Sequence, residues 1–90
     1  MKITWNYDEK NLIGKKVKQL RIDLNLSQRA LAEKLQIAGY DINDLTILRI
    51  EKQTRFVSDY EVFALAKFFN VSADYLLGVS ESIMIYDTAR

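Results

Sequence analysis

The sequence predicts an all-α domain of five short helices, and three observations carry that reading. Across residues 11–78 apolar side chains recur at i, i+3 and i+4, the period of a helix that buries one face. Ser, Asn or Asp stands just ahead of each apolar stretch, where a helix start needs an oxygen to accept its unpaired N–H groups. Gly39 and Gly78 follow two of the stretches, where a chain leaving a helix turns left-handed.

Asp8 and Asn11 are both candidate N-caps for the first helix, which should run to about Leu24 with Ile13, Val17, Leu20 and Leu24 as its buried stripe. Lys10, Lys15, Lys16 and Lys18 fall on its other faces, either as a solvated basic surface or as phosphate contacts. Ser27 caps the second helix, with Gln28 at its first position and Ala30, Leu31, Ala32 and Leu35 forming a face for close packing. Gln28 is either an ordinary exposed helix start or a phosphate contact, because N–H groups and the positive end of the dipole point there. Gly39 ends this helix, and Tyr40, Asp41 and Ile42 lead to Asn43, the cap of a third helix over about residues 44–53. Ile42, Ile47 and Ile50 should be buried, leaving Leu45, Leu48, Arg49 and Lys52 turned away from them. Ser58 with Glu61 is a capping box for a fourth helix, whose inner face is Val62, Leu65, Ala66 and Phe69. Ser72 caps a fifth, A-D-Y-L-L, and Val71, Tyr75 and Leu76 close the core.

Ninety residues make one domain, with a core worth a net stability on the order of 5–10 kcal/mol. The chain divides into an arm or strand at 1–10, the helical domain at 11–78 and a tail or strand at 79–90. In the arm, Ile3, Trp5 and Tyr7 alternate with polar residues; they form either a half-buried strand or a loose arm whose Trp5 packs on the body. In the tail, the β-prone run Ile83-Met84-Ile85-Tyr86 is too short for a helix of its own. The two segments are candidates to pair with each other and to form a dimer contact.

Cysteine and histidine are absent, which removes disulfides, thiolate metal sites and the commonest general base. No set of residues combines nucleophile, base and orienter, so the expectation is a non-enzymatic protein without metal or cofactor. No apolar run approaches a membrane span and the first ten residues lack a signal-peptide core, which points to the cytoplasm. Net charge is only +1, but its distribution is uneven: residues 15–55 carry nine basic and five acidic side chains, residues 56–90 two basic and five acidic. The basic half holds the second and third helices, which read as a helix-turn-helix offering its second helix to the DNA major groove.

The blocks I-G-K-K-V-K-Q-L-R, L-S-Q-R-A-L-A-E-K-L, I-L-R-I-E-K-Q-T-R and L-A-K-F-F-N-V-S-A-D-Y-L-L-G, in that order, resemble the Cro/C1-type (XRE-family) helix-turn-helix domain over residues 13–78. The resemblance implies a five-helix, lambda-repressor-like fold that binds double-stranded DNA, commonly as a homodimer. It implies base-reading roles for Gln28, Asp44, Leu45 and Arg49, and an internal salt bridge between Arg21 and Glu51. Phosphate contacts are expected from Arg29, Asn43, Thr46, Thr54, Arg55, Lys15 and Lys18, which set register and affinity while base edges set specificity. Two departures from the family pattern stand out. Residues 35–43 carry about five residues more than the short family turn, an extension a subgroup with an L-Q-x-x-G-x-D-I turn shares. Asp44 stands where polar or basic residues are usual, and its favourable base partner is the cytosine amino group.

The leading reading is a sequence-specific DNA-binding regulator, repressor-like in kind. The alternative is a protein-interaction module, such as an antitoxin or phage accessory protein with weak DNA affinity, which low net charge, Asp44 and expected exposed aromatics Tyr40, Phe56 and Tyr60 favour.

Overall fold

A computed structural model describes residues 8–80, and its regular structure is five α-helices: α1 Gly14–Asp23, α2 Gln28–Ile37, α3 Asp44–Glu51, α4 Asp59–Phe69 and α5 Ala73–Leu77. The expected terminal strands and their pairing, at Ile3 to Tyr7 and Ile83 to Tyr86, lie outside the described residues.

Local chemistry sets the helix boundaries. Four helices begin on a side-chain cap: Ser27 accepts from the Ala30 N–H, Asn43 from Thr46, Ser58 from Glu61 and Ser72 from Tyr75. At Ser58 the cap is reciprocal, since the Glu61 carboxylate accepts the Ser58 N–H at 3.0 Å. α1 starts later than its candidate caps imply. The Asn11 Oδ1 accepts from Ile13 N and Gly14 N, so Asn11 serves the helix start from outside it. Each helix ends at a left-handed residue, Asn25, Gly39, Gln53, Asn70 and Gly78 in turn. Gln53 is the costly one, since a long side chain in that conformation is disfavoured by about 1–3 kcal/mol. Its own hydrogen bonds hold it: Nε2 donates to the Asn11 carbonyl, and its carbonyl accepts the Lys10 N–H.

The core is Ile13 and Val17 of the α1 region, Leu31, Ala32 and Leu35 of α2, Ile42, Ile47 and Ile50 at α3, Ala64, Leu65 and Ala66 of α4, and Val71 and Leu76 around α5. α3 packs on both α1 and α2, and α5 packs on α4. Leu20 and Tyr75 are half-buried against this core. Four expectations need correction. Leu24 does not belong to the buried stripe, being 54% exposed, because α1 stops at Asp23 and Leu24 becomes its C-cap. α3 ends at Glu51, two residues early, because Gln53 turns left-handed. Tyr40 is half-buried against the core, not exposed. Part of the expected turn extension after Leu35 is helix: α2 continues through Ile37, and residues 38–43 alone connect it to α3.

Gly14 sets the closest approach between α1 and α3. A Cβ built there would collide with the Ile50 carbonyl oxygen and stand 2.8 Å from the Gln53 Cγ. The obstacle is backbone at the end of α3, which cannot move away as a flexible side chain would. Gly14→Ala is therefore expected to destabilise the domain by about 1–3 kcal/mol, although Gly to Ala in an open helix normally stabilises. An unchanged or raised midpoint in thermal unfolding would refute this close-packed contact.

Candidate nucleic-acid interface

α3 has only eight residues, too few to be stable alone, so its position comes from what holds its ends and inner face. Glu51, its last residue, has a side chain only 3% exposed. Removing a carboxylate from water costs several kcal/mol unless opposite charge and hydrogen bonds compensate. Three N–H groups do so here: Arg21 Nε to Oε2 at 2.7 Å, Arg21 Nη2 to Oε1 at 2.9 Å and Gln28 Nε2 to Oε1 at 3.0 Å. Arg21 Nη1 donates to the Leu26 carbonyl at 2.8 Å, tying in the α1–α2 connection. The hydrogen bond to Glu51 raises the Arg21 pKa above its ordinary value; burial opposes this, and the carboxylate charge reinforces it. The guanidinium stays charged throughout the ordinary pH range.

A second set of bonds holds the chain just past α3. Asn11 Nδ2 donates to the carbonyls of Ile50 at 3.1 Å and Arg55 at 3.0 Å, while its Oδ1 serves the start of α1. At the other end, Asn43 caps the helix and Gln36 Nε2 donates to the Ile42 carbonyl. With Ile47 and Ile50 fully buried, the outer face is fixed by subtraction: Asp44, Leu45, Arg49 and Lys52 are exposed, Thr46 and Leu48 half-buried.

Asp44, Leu45 and Leu48 share a shallow cleft of about 350 Å³ with Ser27, Gln28 and Arg29 at the start of α2. Three of the four expected base-reading residues, Gln28, Asp44 and Leu45, thus line one cleft, and Arg49 stands exposed one turn further along α3. Asn43 and Thr46 flank the first turn of α3, their cap bond measuring 2.8 Å. The Asp44 carboxylate sits at the positive end of α3, where it stabilises the helix, and its Oδ1 accepts the Leu45 N–H.

The expected phosphate-contacting residues are less uniform. Arg29 is 84% exposed with Glu33 at 3.6 Å, a surface pair of small worth. Arg55 Nη1 donates to both Glu61 oxygens at 3.0 Å, so much of its charge is engaged inside the domain. Thr54 Oγ1 donates to the Arg49 carbonyl at 3.3 Å. Lys15 and Lys18 are exposed on α1, whereas Lys16 lies over the Tyr75 ring at 4.6 Å. Among the described residues no group of His, Cys, Asp or Glu could hold a metal ion, and no helix is long and apolar enough to cross a membrane.

Sequence reasoning finds Asn11 solely as a cap and passes over Gly14 and the Arg55–Glu61 pair. A glycine inside an otherwise helical pattern, I-G-K-K, is the signal that points to Gly14. The carbonyls that Asn11 bridges lie 39 and 44 residues away, beyond any local motif.

A family model described as a helix-turn-helix domain matches residues 14–80 of the chain. No curated protein and no solved structure matches it.

Because Arg21 and Glu51 compensate one another in a buried place, their energies must be coupled. Arg21→Ala or Glu51→Ala alone is expected to cost roughly 3–5 kcal/mol, and replacing both with well-packed apolar residues much less. A double-mutant cycle by denaturant unfolding checks it: coupling under about 0.5 kcal/mol would show that the pair contributes nothing specific.

Proposed function

Since the chain belongs to the helix-turn-helix domain family, in its Cro/C1 (XRE) group, we propose that it is a sequence-specific, repressor-like DNA-binding regulator without catalytic activity. In this reading α3 enters the major groove, and the N-terminus of α2 lies along the phosphate backbone. The observation that carries it is the division of α3 into two faces. Glu51, Ile47 and Ile50 lock the inner one into the domain, and the outer one presents Asp44, Leu45 and Arg49 with no role in the core.

Arg49 reads guanine, whose O6 and N7 match a guanidinium, and Leu45 meets a thymine methyl. Gln28 and Asp44 read base edges beside them. Arg29, Asn43, Thr46, Thr54, Lys15 and Lys18 contact phosphates, with Arg55 contributing the N–H groups that Glu61 leaves free. A homodimer places two copies of α3 about 34 Å apart on a palindromic operator. Selection of bound duplexes from a random pool tests the whole reading. An enriched palindrome supports a dimeric regulator, and no enrichment over nonspecific DNA refutes sequence-specific binding.

The exposed aromatics Tyr60, at 83%, and Phe63, at 56%, favour a second reading in which the principal partner is another protein. Salt separates the two, since DNA affinity falls steeply with ionic strength through counterion release. A complex that persists unchanged at high salt would favour the protein partner.

Two substitutions follow from the outer face of α3. Arg49→Ala is expected to cost about 1–3 kcal/mol on the selected site and to relax preference at one base pair. Uniform loss across all sequences would make Arg49 a phosphate contact instead. Asp44→Asn should raise nonspecific affinity at low salt by removing a carboxylate from the phosphate field. Equal affinities for both proteins in a low-salt titration would place Asp44 away from the DNA.

A further inference from the structure

Gln28 reaches in two directions: its side-chain nitrogen is bonded to the buried Glu51, and the residue lines the cleft it shares with Asp44 and Leu45. An ionised carboxylate accepts hydrogen bonds and cannot donate them. The Gln28 carboxamide must therefore turn its NH₂ towards Glu51, and the opposite orientation would set oxygen against oxygen. Arg21 reinforces this, because its two N–H groups donate to both Glu51 oxygens and present that carboxylate to Gln28 as an acceptor. We propose that Glu51 is a specificity-positioning residue: by fixing the polarity of the Gln28 amide, it makes the Gln28 Oε1 the group offered to a base.

The consequence is a preference between chemical classes of base. In the major groove adenine and cytosine present an exocyclic amino donor, at N6 and N4, whereas guanine and thymine present acceptors at the corresponding place. An outward Oε1 accepts from the first two and repels the second two. Adenine gains further where the second N–H of Gln28 lies beside the oxygen, since N7 then accepts it. Asp44, also an acceptor, adds to the same bias in the same cleft. This inference rests on the proposed DNA-binding function and specifies what that surface selects.

Replacing both partners, Arg21→Met with Glu51→Met, tests it by removing the acceptor that fixes the polarity, a paired replacement expected to cost far less stability than either change alone. The Gln28 amide then has no orientation imposed on it and offers either its oxygen or its NH₂ outwards. Selection from random duplexes with this variant and the wild type is expected to show the preference for adenine or cytosine over guanine or thymine at one position fall by about fivefold or more. The position read by Arg49 should stay as it was. Arg21→Lys serves as the comparison, since it weakens the same cluster but keeps the Glu51 carboxylate beside Gln28; it should lower stability and leave every base preference in place. If the paired variant does not fold, Gln28→Met decides the matter: loss of preference at that one position supports the proposal, and an unchanged motif overturns it. A folded paired variant with the wild-type motif also overturns it, whereas a wild-type protein that enriches no motif refutes the DNA-binding reading itself.

Discussion

The structure depends on a single carboxylate out of water. Glu51 gathers N–H groups from α1 and α2 at the end of α3, so three helices meet at one charge. The apolar contacts of Ile47 and Ile50 supply most of the burial, but such contacts are non-directional and tolerate rotation of a short helix. Two parallel N–H···O bonds from a planar guanidinium do not. The core thus holds α3 in the domain, and the ion pair fixes which of its faces points outwards.

A second constraint acts alongside it and is steric. The missing side chain at Gly14 lets α1 lie against the Ile50 carbonyl, and Asn11 then reaches the same carbonyl and that of Arg55 with one NH₂ group. Backbone acceptors at the end of a helix lack partners within it. Here the Ile50 carbonyl accepts the Gln53 N–H and also the side-chain N–H of Asn11, a residue distant in sequence. The left-handed Gln53 is tolerated because that junction holds it from both its side chain and its carbonyl.

What was legible from sequence was what depends on near neighbours. Ser27, Asn43, Ser58 and Ser72 act within three residues of themselves, so four helix starts could be read directly, and the ends at Gly39 and Gly78 likewise. The inward faces of α2, α3 and α4 followed from periodicity for the same reason. Leu24 misled because an apolar period can continue past the residue where the helix stops. Tyr40 misled because the packing of a turn residue has no periodic signature. At the candidate interface, the exposure of Arg49 was implicit in the helical wheel. The bond from Gln28 to Glu51 and the engagement of Arg55 by Glu61 were not, because each depends on how separate segments pack.

The division of α3 into a locked face and a free one also bears on how such a protein can change over time. Substitutions at exposed positions outside caps and networks usually alter stability by no more than about 0.5 kcal/mol, and Leu45, Arg49 and Lys52 occupy such positions. The residues that cannot vary cheaply, Gly14, Arg21 and Glu51, are turned inwards. Mutation can therefore explore the outward surface almost independently of foldability, and one scaffold can give rise to descendants with divergent partners while its interior stays constrained by packing.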